Sequence, residues 1–280
     1  MTAKDIVAYE SSVSAPIILG RIEDCPPDFI NTPHRHEFYG ILWFETGGSE
    51  HIIDFKSFPI KKDSIFFLAP GRVHQIQPIN KKGKIFVFSQ NFMSCITYPH
   101  EDGFFNLFYA LDSAPFILPI KEELNRLTSL CKLLQFEYNN KTQDFAILQT
   151  YFRAFLLCIQ RIKTQRKKQF SPQSDKRLTE LFKLIENHYK TEKTVSFYAK
   201  HLALTPKRLN EITKAQFAKT VTQLIHKRLL LEAKREIYFG ERMIKEIAYI
   251  LGFKDPAYFS RFFKRYTTIT PEQFKQKMFK

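Results

Sequence analysis

The apolar residues of this chain change their spacing near position 120, and that change sets which architectures it can adopt. Between about 15 and 118 the apolar stretches are short and rich in Phe, Ile and Val, at 38–44, 51–55, 64–68 and 84–89. Turn-forming residues lie between them, at Thr46-Gly47-Gly48, Ile60-Lys61-Lys62-Asp63 and Asn80-Lys81-Lys82-Gly83. Evenly spaced short strands with such turns predict a small barrel or sandwich. From about 121 to 165 the step becomes three and four, through Leu124, Leu127, Cys131 and Leu134, then Leu148, Phe152, Phe155 and Ile159. Those are two helical stripes, and the polar stretch 138–144 between them fits an antiparallel pair. The polar, basic and Pro-containing segment 163–174 reads as a linker, and the chain after it as entirely helical. Strands in one block and helices in another predict an α+β multidomain protein, divided as 1–118, 119–170 and 171–280.

The last block carries its helix starts in the sequence. Thr205-Pro206, Asp255-Pro256 and Thr270-Pro271 each set a short polar acceptor before a proline at the first helical position. Gln273 completes a capping box with Thr270, and Gly240 is placed to end a long helix that starts near Val221.

Two of these starts open the second helix of a helix-turn-helix. In the downstream unit Ile244, Ile247, Ala248 and Leu251 form one apolar face, and Gly252 permits a sharp turn. The next helix buries Phe259 and Phe263, leaving Ala257, Ser260, Arg261 and Lys264 on other faces. Such a polar, basic outer face fits the DNA major groove, where Arg can grip guanine with two hydrogen bonds. Upstream, 195–202 reads as a first helix, 203–205 as its turn and 206–217 as its recognition helix. There Leu209 and Ile212 point inward, while Lys207, Arg208, Asn210, Glu211 and Lys214 are available to DNA. A connecting helix of about 19 residues spans ~28 Å, close to one DNA turn of ~34 Å. Both units can then reach successive major grooves.

Charge agrees. Of the formal net +15, residues 171–280 hold +12, with 23 Lys and Arg against 11 Asp and Glu. A skew of that kind points to a polyanionic partner. No apolar run approaches the ~20 residues of a membrane span, and the N-terminus carries no secretion-signal pattern. The four cysteines are far apart with no C-x-x-C pair, as expected for reduced thiols in a cytoplasmic protein.

The segment from about Arg177 to Lys277 closely resembles the DNA-binding domain of the AraC/XylS family of bacterial transcription regulators. The resemblance is carried by Ile244, Ile247-Ala248, Gly252-Phe253, Tyr258-Phe259-Ser260-Arg261, Phe263-Lys264 and Thr270-Pro271-Glu272-Gln273-Phe274, with Leu209 and the run 229–235 upstream. It implies base contacts from Lys207, Asn210 and Glu211 in the first recognition helix, and near Pro256, Ala257, Ser260 and Arg261 in the second. It also implies double-stranded promoter DNA and RNA polymerase as partners, and a protein associated with the nucleoid when on DNA. Ala218 and Thr268 stand where the family usually has glycine, in places that can demand left-handed φ, at ~1–2 kcal/mol for other residues.

Residues 33–89 resemble a cupin barrel and the sensor domain of the same regulators. His34 and His36 share one strand face, and barrel closure can bring His74 beside them. Three imidazoles suit a divalent metal, and a metal-dependent cupin enzyme with an accessory helical domain is the alternative function. The metal-binding cupin pattern needs a carboxylate at position 40, where this chain has Gly40. The favoured reading is therefore an effector pocket lined by His34, His36, Trp43 and His74, with no metal and no cofactor. No Gly-rich phosphate loop or paired nucleophile and base suggests catalysis. The expected protein is a cupin-like β-barrel with a helical hairpin, then an all-α domain with two helix-turn-helix units. It regulates transcription under a small-molecule effector. A hairpin seam can be used up in packing on the barrel or can join two copies, and the resemblance to the family's sensors implies a homodimer through the hairpin, with Leu127 and Phe155 as its probe positions.

Overall fold

The computed structural model describes residues 8–9, 16–26, 30–77, 82–96, 103–109, 114–168, 176–240 and 242–278. The chain divides into two compact units, one of residues 7–174 and one holding Asp175–Lys280.

In the first unit a five-stranded sheet has the order β10 (116–117), β7 (65–68), β4 (39–44), β9 (83–88), β2 (17–21), and a three-stranded sheet the order β6 (56–60), β5 (49–53), β8 (74–76). The five-stranded sheet comprises β2 (Ile17–Arg21), β4 (Tyr39–Phe44), β7 (Ile65–Leu68), β9 (Gly83–Phe88) and β10 (Phe116–Ile117), all paired antiparallel. The smaller sheet comprises β5 (Ser49–Ile53), β6 (Lys56–Ile60) and β8 (His74–Ile76), also antiparallel. Two short strands, β1 (Ala8–Tyr9) and β3 (Arg35–His36), pair in parallel.

Every residue of β4 and β7 is buried, because this sheet is covered on both faces. On one face Leu42, Phe44, Phe66 and Leu68 meet Ile53, Ile60 and Ile76 of the smaller sheet and form the barrel interior. On the other, Tyr39, Ile41, Trp43, Ile65, Phe67, Phe86 and Phe88 pack under helices. These are α1 (Gln90–Ile96), α2 (Gly103–Tyr109), α3 (Lys121–Tyr138) and α4 (Phe145–Lys168).

Two expectations change here. The seam Leu127, Cys131, Leu134, Leu148, Phe152, Phe155 and Ile159 is not an interface between copies. It belongs to the core under the sheet, with Leu127 and Phe155 wholly buried and the Phe155 ring 5.2 Å from that of Phe86. The segment expected as a linker from 163 continues α4 to Lys168, since its Lys, Arg and Gln are good helix formers. The remainder of that linker, 169–174, lies outside the described residues.

The second unit is helical: α5 (Lys176–His188), α6 (Val195–His201), α7 (Pro206–Phe217), α8 (Val221–Phe239), α9 (Ile244–Ile250), α10 (Pro256–Thr267) and α11 (Pro271–Met278). Its core gathers Leu181, Ile185, Tyr198, Leu209, Leu224, Leu229, Ile247, Leu251, Phe259 and Phe263. Arg228 of α8 is buried. Its Nε donates to Glu186 of α5 at 2.8 and 2.9 Å, and its Nη1 to Glu232 at 2.8 Å. Burial works to raise the Glu232 pKa, but Arg228 and Arg235 outweigh it and hold the carboxyl at about 2.

Candidate nucleic-acid interface and barrel cavity

The recognition helices start where their caps require. Thr205 accepts from the Arg208 N–H at 3.2 Å, and Asp255 accepts from Ala257 and Tyr258 at 2.9 and 3.0 Å. Both end in left-handed residues, Ala218 at φ 52° and Thr268 at φ 69°. A full capping box, Thr220 with Gln223, starts the 19-residue α8 between them.

On α7, Lys207, Arg208, Glu211 and Lys214 are exposed. Arg208 Nη1 donates to Glu211 Oε2 at 3.1 Å, so the carboxylate has a cation beside it. Asn210 is half-buried, and its Oδ1 accepts from the Val221 N–H at 3.0 Å. That bond turns the Asn210 carbonyl toward the start of α8.

On α10, Ala257, Arg261 and Lys264 are exposed, while Pro256 and Ser260 are half-buried. Arg261 lies 3.6 Å from the Asp255 carboxylate, with its guanidinium carbon 5.9 Å from the Tyr258 ring centroid. Tyr258 is 56% exposed at the first turn of the helix. In the sequence Tyr258 stands within the motif Tyr258-Phe259-Ser260-Arg261, and its exposure beside a capped helix start on a basic face singles it out.

In the barrel, His34, His36 and His74 are buried and come together. The His74 ring centroid lies 4.1 Å from that of His34 and 5.1 Å from that of His36. Backbone bonds in both directions join His34 to His74, at 2.9 and 3.0 Å. A fourth histidine, His51, joins from β5, with Nε2 at 3.2 Å from His74 Nδ1. His51 shares one strand face with Ile53, and only the pairing of β5 with β8 brings it to His74. Trp43 is elsewhere. It shares the helix-facing side of β4 with Tyr39 and Ile41, and its ring stacks 6.2 Å from Phe155. Strand parity explains this: Gly40 and Leu42 face the interior, so position 43 cannot.

His36 Nδ1 is bonded to the Phe38 carbonyl at 2.8 Å, and His34 Nδ1 to that of Thr32 at 3.0 Å. Burial, then the neighbouring His34, drives His36 down to about 3, and burial likewise takes His51 to about 3. His34 and His74 are also lowered, first by burial. The cluster is therefore neutral at neutral pH. His36 and His74 line a cavity with Ile22, Leu42, Leu68, Ile76, Ile85 and Val87. Among the described residues no group of three or more His, Cys, Asp or Glu is arranged to hold a metal ion, and no helix is long and apolar enough to cross a membrane.

Two family models match. An AraC-like ligand binding domain covers residues 18–93, and a helix-turn-helix domain covers 198–277. The transcriptional activator RhaS of Yersinia pestis is 22% identical over 288 residues, spanning 99% of this chain and all of the relative. RhaS of Yersinia pseudotuberculosis matches to the same extent. Among solved structures, ToxT of Vibrio cholerae is 16% identical with a TM-score of 0.43, covering 92% of this chain and 97% of that one. The C-terminal domain of the response regulator yesN from Fusobacterium nucleatum is 27% identical with a TM-score of 0.35, covering 36% of this chain and 99% of that one.

Proposed function

The chain belongs to the AraC family of DNA-binding transcription regulators, and from that premise we propose that α7 and α10 read two successive major-groove segments of one promoter site. The observation that carries this is the pair of exposed basic faces, each opened by a side-chain cap, joined by one 19-residue helix. At 1.5 Å per residue α8 is ~28 Å long, within reach of the ~34 Å between equivalent groove positions.

Arg261 is the base-reading donor of α10, with Ala257 and Ser260 beside it and Pro256 fixing the helix start. Lys264, Lys207 and Lys214 hold phosphates, and Arg208 and Glu211 act as a pair on α7. Asn210 serves α7 through the α7–α8 junction rather than through its carbonyl on a base. The domain division is a sensor at 1–118, a hairpin with linker at 119–170 and a DNA-binding domain at 171–280. The protein is not an enzyme, works in the cytoplasm on promoter DNA, contacts RNA polymerase there and answers to a small molecule held in the barrel.

It acts as a homodimer, which doubles the sequence contacted. Because the buried hairpin seam already covers the sheet, the dimer uses the outward face, where Leu133 and Phe136 of α3 and Leu157 of α4 are exposed and Phe136 is 76% exposed. Genome-wide mapping of bound sites, followed by footprinting of one, tests the reading. Protection in two major-groove segments about one turn apart, on one DNA face per protomer, is the expected pattern. A single protected segment per protomer would contradict it.

A further inference from the structure

Phe253, Phe262 and Tyr266 form a row of rings, stepping 5.2 Å from Phe253 to Phe262 and 5.1 Å from Phe262 to Tyr266. The ring of His226, on α8, lies 5.3 Å from Phe262 and 5.6 Å from Tyr266, so the row is the side that α10 turns toward α8. Apolar contact of this kind holds α10 to the core but is non-directional, and it does not by itself fix the rotation of the helix.

Each end of the row carries a polar tie to an element outside the downstream helix-turn-helix. At the Phe253 end, Lys193 of the α5–α6 loop donates to the Gly252 carbonyl, and its ammonium lies over the Phe253 ring. At the other end the Tyr266 hydroxyl shares a hydrogen bond with His226 Nδ1 at 2.7 Å. The anchors of these ties are themselves held. The Tyr198 hydroxyl of α6 donates to the carbonyl of Glu192, next to Lys193, at 2.7 Å. The start of α8 is bonded to Asn210 of α7, and its middle to Glu186 of α5 through Arg228. A line of directional bonds thus runs from α7 to both ends of the row on α10. Such bonds weaken within a few tenths of an ångström. A bidentate contact from Arg261 to a guanine has a tolerance of about 0.5 Å.

We propose that Lys193 and the His226–Tyr266 pair are positioning residues for base reading, which fix the rotation of α10 relative to α7 without touching DNA. This rests on the reading that α7 and α10 occupy two major-groove segments.

The test uses the full-length protein and its mapped promoter site. Single base changes are placed across both protected segments, and the affinity for each is compared with that for the unchanged site. The segment in which Arg261→Ala loses discrimination is assigned to α10. In the wild type a base change in either segment should cost about 5- to 150-fold. Lys193→Met keeps the stem over Phe253 and removes the ammonium, and Tyr266→Phe keeps the ring against Phe262 and removes the hydroxyl. In the double variant, checked for folding by circular dichroism, base changes in the α10 segment should cost about threefold or less, while those in the α7 segment keep their full cost. Affinity for the unchanged site should fall about tenfold, and affinity for random DNA should stay within about twofold. Lys193→Arg, whose guanidinium can donate to the same carbonyl and stack on the same ring, should discriminate as the wild type does. Equal loss of discrimination in both segments would reduce the ties to stability, and a matching loss on random DNA would make Lys193 a phosphate contact; either overturns the proposal, as does unchanged discrimination in the α10 segment. A wild type that discriminates in one segment alone overturns the two-segment reading as well. If the double variant does not fold, the two single variants decide by the same comparison.

Discussion

Lys193, in the loop after α5, donates from Nζ to the carbonyl of Gly252, and its ammonium lies 4.0 Å from the Phe253 ring centroid. The turn of the downstream helix-turn-helix is thus held by the segment that precedes the upstream one. Gly252 has φ +71°, and a side-chain carbon there would stand 2.0 Å from the Lys190 carbonyl oxygen. Backbone meets backbone, so no side chain can swing away. Gly252→Ala is predicted to lower stability by at least ~2 kcal/mol, from left-handed strain plus the displaced loop. Chemical denaturation of the full chain measures it; a loss below ~0.5 kcal/mol would mean that the turn moves freely.

The helix ends at Ala218 and Thr268 give the opposite sign. Both are left-handed and exposed, where glycine avoids the Cβ penalty. Ala218→Gly and Thr268→Gly should each stabilise the protein by up to ~1 kcal/mol, the relief of strain exceeding the added chain entropy. The two effects should add, since the sites cap different helices. Thermal midpoints of the single and double variants check this, and a fall in midpoint would contradict it.

Acid should loosen the barrel. His36 and His51 titrate near 3 in the fold, below the ~6.5 of an unfolded histidine. Their folded pKa is depressed, so their contribution is complete above ~6.5 and is lost as pH falls from ~6.5 toward 3. In that window the unfolded chain binds protons that the fold refuses, at up to ~1.4 kcal/mol per pH unit for each histidine. Stability measured between pH 7.5 and 5 should fall, and His51→Phe, whose ring would pack near Phe44 and Phe66, should flatten the slope. An unchanged slope in that variant would show that His51 does not contribute.

The two faces of the hairpin separate folding from assembly. Leu127 is wholly buried under the sheet, and Phe136 is exposed on the same helix. Leu127→Glu is predicted to unfold the sensor unit, because an unpaired charge cannot be left in an apolar core. Phe136→Glu should stay folded by circular dichroism and split a dimer in sedimentation. A wild type that is monomeric at micromolar concentration, alone and on DNA, would rule out the dimer.

The helical half of the chain was the more legible in sequence, because its boundaries are local chemistry. Thr205-Pro206 and Asp255-Pro256 each set a polar cap before a proline suited to the first helical position, and α7 and α8 begin and end where the residues alone place them. The barrel half depends on pairing between distant strands. The convergence of His34, His36 and His74 could be expected, but His51 enters through the β5–β8 register, which no local pattern encodes. Trp43 and the hairpin seam were misplaced for one shared reason. Both faces of the five-stranded sheet are buried, so apolar content could not tell the cavity side from the helix side. The bond from the Val221 N–H to Asn210 is likewise a contact between helices and not a property of the α7 face.

A comparison of Arg261→Ala with Lys264→Ala tests base reading by α10. Both residues are exposed on one helix, and Arg261 is already braced by Asp255 and Tyr258. Binding of each variant is measured on the mapped promoter site and on random DNA across a range of salt. Arg261→Ala is predicted to lose ~1–3 kcal/mol on the specific site, about 5- to 150-fold, and little on random DNA. Lys264→Ala should weaken both alike and make the salt dependence shallower. Equal losses on both sequences for Arg261→Ala would reduce Arg261 to a phosphate contact and rule out base reading by it.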